Sequence, residues 1–267
     1  MKIIISPAKK MNIDTDTFPC MGSPAYLDKT AQILDFMRGL PLSRCQEIWK
    51  CNDSLAQQNY QRFQTMDLHR CLTPAVISYE GLQYQYMAPA VLDQDALAYI
   101  QQHVRILSGF YGILRPFDGV VPYRLEMQAR LGGEELDSLY EFWGTLPCES
   151  LMEDGEGLIL NLASKEYSKV VEMGWKKLRK KQERKAEEKK AVPEFRMVTC
   201  IFGEETGGRV KEKGTYAKMA RGEMVRFLAE HRITDLEGVK TFDRMNYRYR
   251  EAYSSEDQLV FCMDDHG

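Results

Sequence analysis

The stretch Leu107 to Met127, LSGFYGILRPFDGVVPYRLEM, gathers glycines, prolines, arginines and aromatics into one short span. That mixture suits a ligand-holding loop better than a core element. Gly109 and Gly112 permit close backbone approach or φ > 0, and Arg115 and Arg124 set charge-assisted donors beside them. Ser108 and Tyr111 lie in the same turn and join the predicted contact set. The ligand that fits such a loop is an anion, most simply a phosphate. Lys9, near the N-terminus, pairs with phosphate as a cation, acts as a nucleophile or base if desolvated, or is a solvated surface lysine. Glu126 and Asp118 are the candidate acid or base, although Glu126 beside Arg124 reads equally as one arm of an ion pair.

The elements around these residues decide which of them can meet. Lys2 to Ile5 reads as a buried strand broken by Ser6-Pro7, which leaves Lys9 on the loop at its C-terminal end, where α/β folds often place functional groups. Residues 157–163, GLILNLA, repeat the arrangement, with Ser164-Lys165-Glu166 following the strand. If both ends line one cleft, Asn161, Ser164 and Lys165 join Lys9, or Ser164 merely caps the next helix. Asp93 can cap a helix over 93–107 in which Leu97, Ile100, Val104 and Leu107 recur at steps of three and four. After the 108–112 turn, Ile113 and Leu114 start a second helical turn that Pro116 ends. The outline is helix-hairpin-helix-like, with two residues between the glycines where that motif usually has one. Such an element holds DNA backbone phosphates on main-chain amides without reading bases.

Elsewhere, apolar stripes from Pro24 to Met66 predict helices broken at Gly39-Leu40-Pro41 and Asn52-Asp53, and Ala75 to Tyr79 predicts a short strand. Leu136 to Trp143 predicts a packed helix that ends near Gly144 to Pro147. Residues 195–202 and 209–216 predict strands around the Gly207-Gly208 turn, followed by a helix over 217–231. Tyr247 to Tyr253 and Gln258 to Met263 predict a final hairpin. The fold class is α/β, a single mixed-sheet domain over residues 1–267 surrounded by helices, with the helix-hairpin-helix-like element beside a basic cleft.

Composition narrows the function. A chain of 267 residues with 44% hydrophobic content can bury a large core, and a net charge of −3 confines any nucleic-acid contact to a local patch. No run is long and apolar enough to span a membrane, and the start MKIIISPAKK is too short for a signal peptide, so the expectation is a cytoplasmic protein. The seven cysteines are scattered without a CxxC pair, with Cys45 and Cys51 the only weak redox candidates, and the four histidines are dispersed. No metal site and no cofactor is signalled. The run Trp175 to Lys190 is dense in Lys and Arg; it reads as a solvated helix or as extra affinity for nucleic acid.

LSGFYGILRPFD and PYRLEM resemble signatures of the peroxide stress protein YaaA family. ISPAK at Ile5 to Lys9, LYEFWG at Leu139 to Gly144, LNLASKEY at Leu160 to Tyr167 and YAKMARGEMVRF at Tyr216 to Phe227 resemble that family's other blocks, in order along nearly the whole chain. The resemblance implies a single-domain cytoplasmic α/β protein, monomeric by preference, that binds DNA through a basic cleft and limits peroxide- and iron-dependent damage. It raises the functional reading of Lys9 and brings Lys218 and Arg221 to the cleft, while the basic run at about 175–192 reads as an insertion. No reaction is attached to the family as a whole. The alternative is an enzyme, a lyase or hydrolase acting on nucleic acid or a nucleotide-like substrate, with Lys9 as its nucleophile.

Overall fold

The computed structural model describes residues 1–133, 136–153, 157–184 and 195–264. Its centre is an eight-stranded sheet made of β1 (Lys2–Ile5), β2 (Val104–Ser108), β3 (Gly112–Leu114), β4 (Leu158–Leu162), β5 (Arg196–Thr206), β6 (Arg209–Lys211), β7 (Tyr247–Tyr249) and β8 (Gln258–Met263). The order across the sheet is β7-β8-β5-β4-β1-β2-β3, with β6 paired to β5. The five inner strands run parallel, and β3, β6 and β7 are antiparallel to their neighbours. The β1 sequence KIII is buried at all four positions, as a parallel strand covered on both faces requires. Helices pack around this sheet, which gives a mixed α/β fold.

Several expectations hold in detail. The 24–66 region forms helices Leu27–Arg38, Leu42–Trp49 and Asp53–Thr65, broken at the two predicted points. The Gly207-Gly208 turn joins β5 to β6, although β6 ends at Lys211 and the next helix, Gly214–His231, takes the rest of the strand expected over 209–216; β7 pairs with β8 as the closing hairpin. The basic run begins on the last turns of the helix Lys165–Arg184, where Lys176, Lys180 and Lys181 are exposed; residues 185–190 lie outside the described residues.

Three elements differ. Asp93 does cap a helix, its Oδ1 accepting from Ala96 N at 2.8 Å, but the helix spans Gln94–His103 and the next five residues are β2. Val104, Ile106 and Leu107 are fully buried beside β1, and a pattern of Val104, Ile106 and Leu107 about Arg105 satisfies the helix period and the strand period alike. The segment after the turn is β3, antiparallel to β2, so a strand hairpin stands where paired helices were expected. The predicted strand at 75–79 is a helical turn, Ala75–Ser78, with extended structure only at Tyr79–Glu80; the amides of Ala75 and Val76 donate to Asp118 O and Pro116 O.

The topology places a crevice. From β1 the chain crosses to β2 on one side, whereas β4, on the other side of β1, leads away to β5 and β8. The C-terminal ends of β1 and β4 therefore flank a topological switch point, where open α/β sheets bind ligands.

Candidate functional site

At that switch point the two strand ends are tied together. Ser164 N donates to Ser6 Oγ at 2.8 Å, and Ser6 Oγ lies 3.3 Å from Ser164 Oγ. Above them opens a cavity of about 410 Å³, within the range of pockets that hold a small ligand. Lys9 reaches it from the loop after β1, Glu166 and Tyr167 from the start of the helix Lys165–Arg184, and Arg124 and Glu126 from the segment after β3. Lys218 and Arg221 come from the helix Gly214–His231, and Gln83 and Tyr84 from the short helix Leu82–Met87.

The last two elements touch through Gly222. A Cβ there would lie 2.1 Å from Gln83 O, so only glycine allows the approach that puts Arg221 beside Gln83.

The polar arrangement is incomplete in one direction. Lys9 Nζ pairs with Glu126 Oε1 at 2.8 Å, Arg124 Nη2 lies 3.6 Å from the same oxygen, and Lys10 pairs with Glu80. Arg221 Nη2 meets Glu212 Oε1 at 3.1 Å. Yet Gln83 Nε2, Arg124 Nε and Arg221 Nε, all buried, have no hydrogen-bond partner among the described residues. A buried donor left without any acceptor costs roughly 1–3 kcal/mol, so such groups are met by a ligand, an ion or an ordered water. Five cationic side chains against three carboxylates give the cavity a positive balance. Its walls are aromatic: Tyr84 OH donates to Ser6 O at 2.9 Å, and Tyr123 OH sits 2.7 Å from Tyr79 OH and 2.6 Å from Ser108 Oγ. Burial pushes the Tyr123 phenol up to about 12 and raises those of Tyr84 and Tyr167, so all three remain neutral hydrogen-bonding walls. Burial also raises the Glu166 carboxyl, against the backbone amide of Gln128 that donates to it at 3.3 Å; the nearby Glu126 charge raises it further.

Of the predicted contact residues, Lys9, Arg124, Glu126, Ser164, Lys218 and Arg221 meet here. The others stand elsewhere. Ser108 Oγ accepts from the amides of Phe110 (3.2 Å) and Tyr111 (2.9 Å), and Tyr111 OH accepts from Val121 N at 3.1 Å, so both hydroxyls are used inside the fold. Gly109 packs against the 125–127 backbone and its carbonyl accepts from Trp143 Nε1 at 3.0 Å, while Gly112, at φ +77°, lies under the Trp143 ring. Asn161 bonds Thr199 and the amide of Ala163. Lys165 is exposed and outside the cavity lining. Arg115 and Asp118 line a separate cavity of about 290 Å³, where Asp118 Oδ2 accepts from Arg115 N at 2.8 Å.

Sequence reading missed Ser6, Gln83 and Glu166 as site residues. Ser6 and Glu166 follow strands already singled out, so their positions carried a signal; Gln83 has none. Among the cysteines, burial raises the Cys45 thiol to about 11 and the Cys148 thiol to about 12, the reverse of what a reactive thiolate needs. Among the described residues no helix is long and apolar enough to cross a membrane.

A family model described as peroxide stress protein YaaA matches residues 1–253. The UPF0246 protein of Lachnoclostridium phytofermentans is 51% identical over 261 residues, which cover 98% of this chain and 96% of that protein. The UPF0246 protein of Pediococcus pentosaceus is 49% identical over 265 residues, covering 99% of each chain. That of Lactiplantibacillus plantarum is 48% identical over 261 residues, covering 98% of each. With likeness running almost end to end, the chain belongs to the peroxide stress protein YaaA family.

Proposed function

We propose that this chain is a cytoplasmic, single-domain peroxide-stress protein that binds DNA through the cleft at the ends of β1 and β4 and so limits iron-dependent oxidative damage. The observation that carries the reading is the set of buried donors without acceptors, Gln83 Nε2, Arg124 Nε and Arg221 Nε, around a positively balanced cavity. Their shared requirement is an acceptor-rich anion, and a phosphodiester supplies charge and acceptor oxygens together. Lys9, Lys10 and Lys218 extend the cationic surface at the mouth, and nothing in the set distinguishes one base from another. Binding is therefore sequence-tolerant and salt-dependent.

Chemistry through Lys9 as an amine nucleophile finds less support. Its side chain is 64% exposed and serves as the cationic partner of Glu126, whereas a Schiff-base lysine needs desolvation. Titrating duplex, single-stranded and branched DNA at several salt concentrations tests the binding reading. Lys9→Ala and Lys218→Ala should each weaken binding several-fold and flatten the salt dependence. Unaltered binding in both would move the interface away from this cleft. Borohydride trapping of a Lys9–DNA adduct would restore the enzymatic alternative.

A further inference from the structure

A third cavity, of about 190 Å³, adjoins the first: Glu126 lines both. Arg44, Lys50 and Arg130 line it with Glu47; Arg44 pairs with Glu47 at 2.7 Å and Arg130 with Asp137 at 2.9 Å, while Lys50 makes no ion pair among the described residues. Trp49 also lines it, and the buried Trp49 Nε1 has no hydrogen-bond partner among the described residues. The indole is 3% exposed and packed on Phe63 at 5.6 Å between ring centroids, so what it has to offer a ligand is its N–H rather than a stacking face.

Four buried side-chain donors in the described residues are without a partner, and all four belong to residues lining these two cavities: Gln83, Arg124 and Arg221 on one side of Glu126, Trp49 on the other. The cavity at Trp49 was singled out by no feature of the sequence. The unmet requirement has the same sign in both compartments, for acceptors, so a ligand that completes the site carries acceptors in each of the two cavities that Glu126 lines. Glu126 itself is 20% exposed and holds Lys9 and Arg124. An anion crossing it competes with a carboxylate for both cations.

We infer that the two cavities form one two-compartment site for adjacent nucleotides of a single, unpaired DNA strand, with Glu126 as the partition that the strand crosses. The inference rests on the DNA-binding reading above and narrows it. A repeating phosphodiester delivers an anion to each compartment, whereas a mononucleotide completes only one. At about 410 and 190 Å³ the compartments have room for one nucleotide and for the phosphate of its neighbour with part of the sugar, so a base-paired duplex enters neither and a strand reaches them only where it is unpaired. Joining the two half-ligands makes the second contact intramolecular, and affinity rises with length until both compartments are filled.

The test is a calorimetric titration of thymidine 5′-monophosphate and of 5′-phosphorylated thymidine di-, tri- and tetranucleotides, repeated with Lys50→Ala and Trp49→Phe. The expected result for the wild type is at least a tenfold gain from mono- to dinucleotide and little further gain. In both variants that mono-to-dinucleotide ratio shrinks. Equal affinity for mono- and dinucleotide, or a ratio untouched by both substitutions, overturns the inference. Duplex binding without any binding of short single strands overturns it while leaving the DNA-binding reading intact. Absence of binding to every form of DNA overturns both.

Discussion

In the turn that joins β2 to β3, Ser108 Oγ accepts two amides, the Gly109 carbonyl takes the Trp143 indole N–H, and Gly112 accommodates the ring of the same tryptophan. At the ends of β1 and β4, by contrast, Gln83, Arg124 and Arg221 each keep a buried donor with no acceptor among the described residues. Both regions combine hydroxyls with aromatics, and the glycine turn is the one whose composition looks more like a ligand loop. The comparison teaches that residue type alone does not make a ligand loop: the polar groups of the turn are met inside the fold, whereas those of the cavity are met only in part among the described residues. The glycines of the turn serve close packing, and the cavity draws its cations from helices and loops far apart in the chain.

The contrast breaks first at Gly112. Gly112→Ala places a Cβ 2.8 Å from the Trp143 ring at a positive φ, which should cost about 2–4 kcal/mol in urea unfolding, while the molecules that still fold bind DNA as before. A large loss of affinity without loss of stability would return function to the turn. Next in size is Arg221→Ala, expected to weaken DNA binding about tenfold and to lower the salt slope by about one, because a desolvated cation leaves the cavity. Arg115→Ala, in the separate cavity, should change affinity less than about twofold by the same titration. Glu126→Gln runs the other way: releasing Lys9 and Arg124 from a competing carboxylate should tighten DNA binding by roughly threefold, read most clearly at low salt.

The smallest effect is a pH dependence. The Glu166 carboxyl titrates above its ordinary value in the fold, chiefly because it is buried. As pH falls through that raised value toward the ordinary carboxylate range, the fold takes up a proton before the unfolded chain does, so this group's contribution becomes more favourable on acidification. Above the raised value its charge is a steady penalty. Glu166→Gln should therefore be at least as stable as the wild type at neutral pH and lose that relative gain as pH falls through the raised value toward about 4.5, as followed by thermal unfolding.

Much of the scaffold was legible because it rests on strong local signals. KIII and LILNL could hardly be anything but buried strands, and Gly39-Leu40-Pro41 and Asn52-Asp53 punctuate the first three helices where they must. Val104 to Leu107 was ambiguous since its apolar positions, with Arg105 between them, fit two periods, and only pairing with β1 decides it. The site was legible where it sits at strand ends: Lys9 and Ser164 follow β1 and β4, and Arg221 emerged through family likeness. Gln83 was invisible, because its position depends on two helices meeting at Gly222, a contact that no local pattern encodes. Arg115 and Asp118 stand apart from Arg124 for the opposite reason. Proximity to Arg124 in sequence is undone by the course of the chain between them, which carries the two pairs to different cavities.

The most direct check of where DNA sits is ultraviolet crosslinking of a bromodeoxyuridine-containing strand, with the attachment sites mapped by mass spectrometry. Attachment within residues 6–10, 82–84, 123–126, 164–167 or 218–221 is the predicted result, since these segments line the cavity. Attachment confined to 108–118, with none in those segments, would contradict the account.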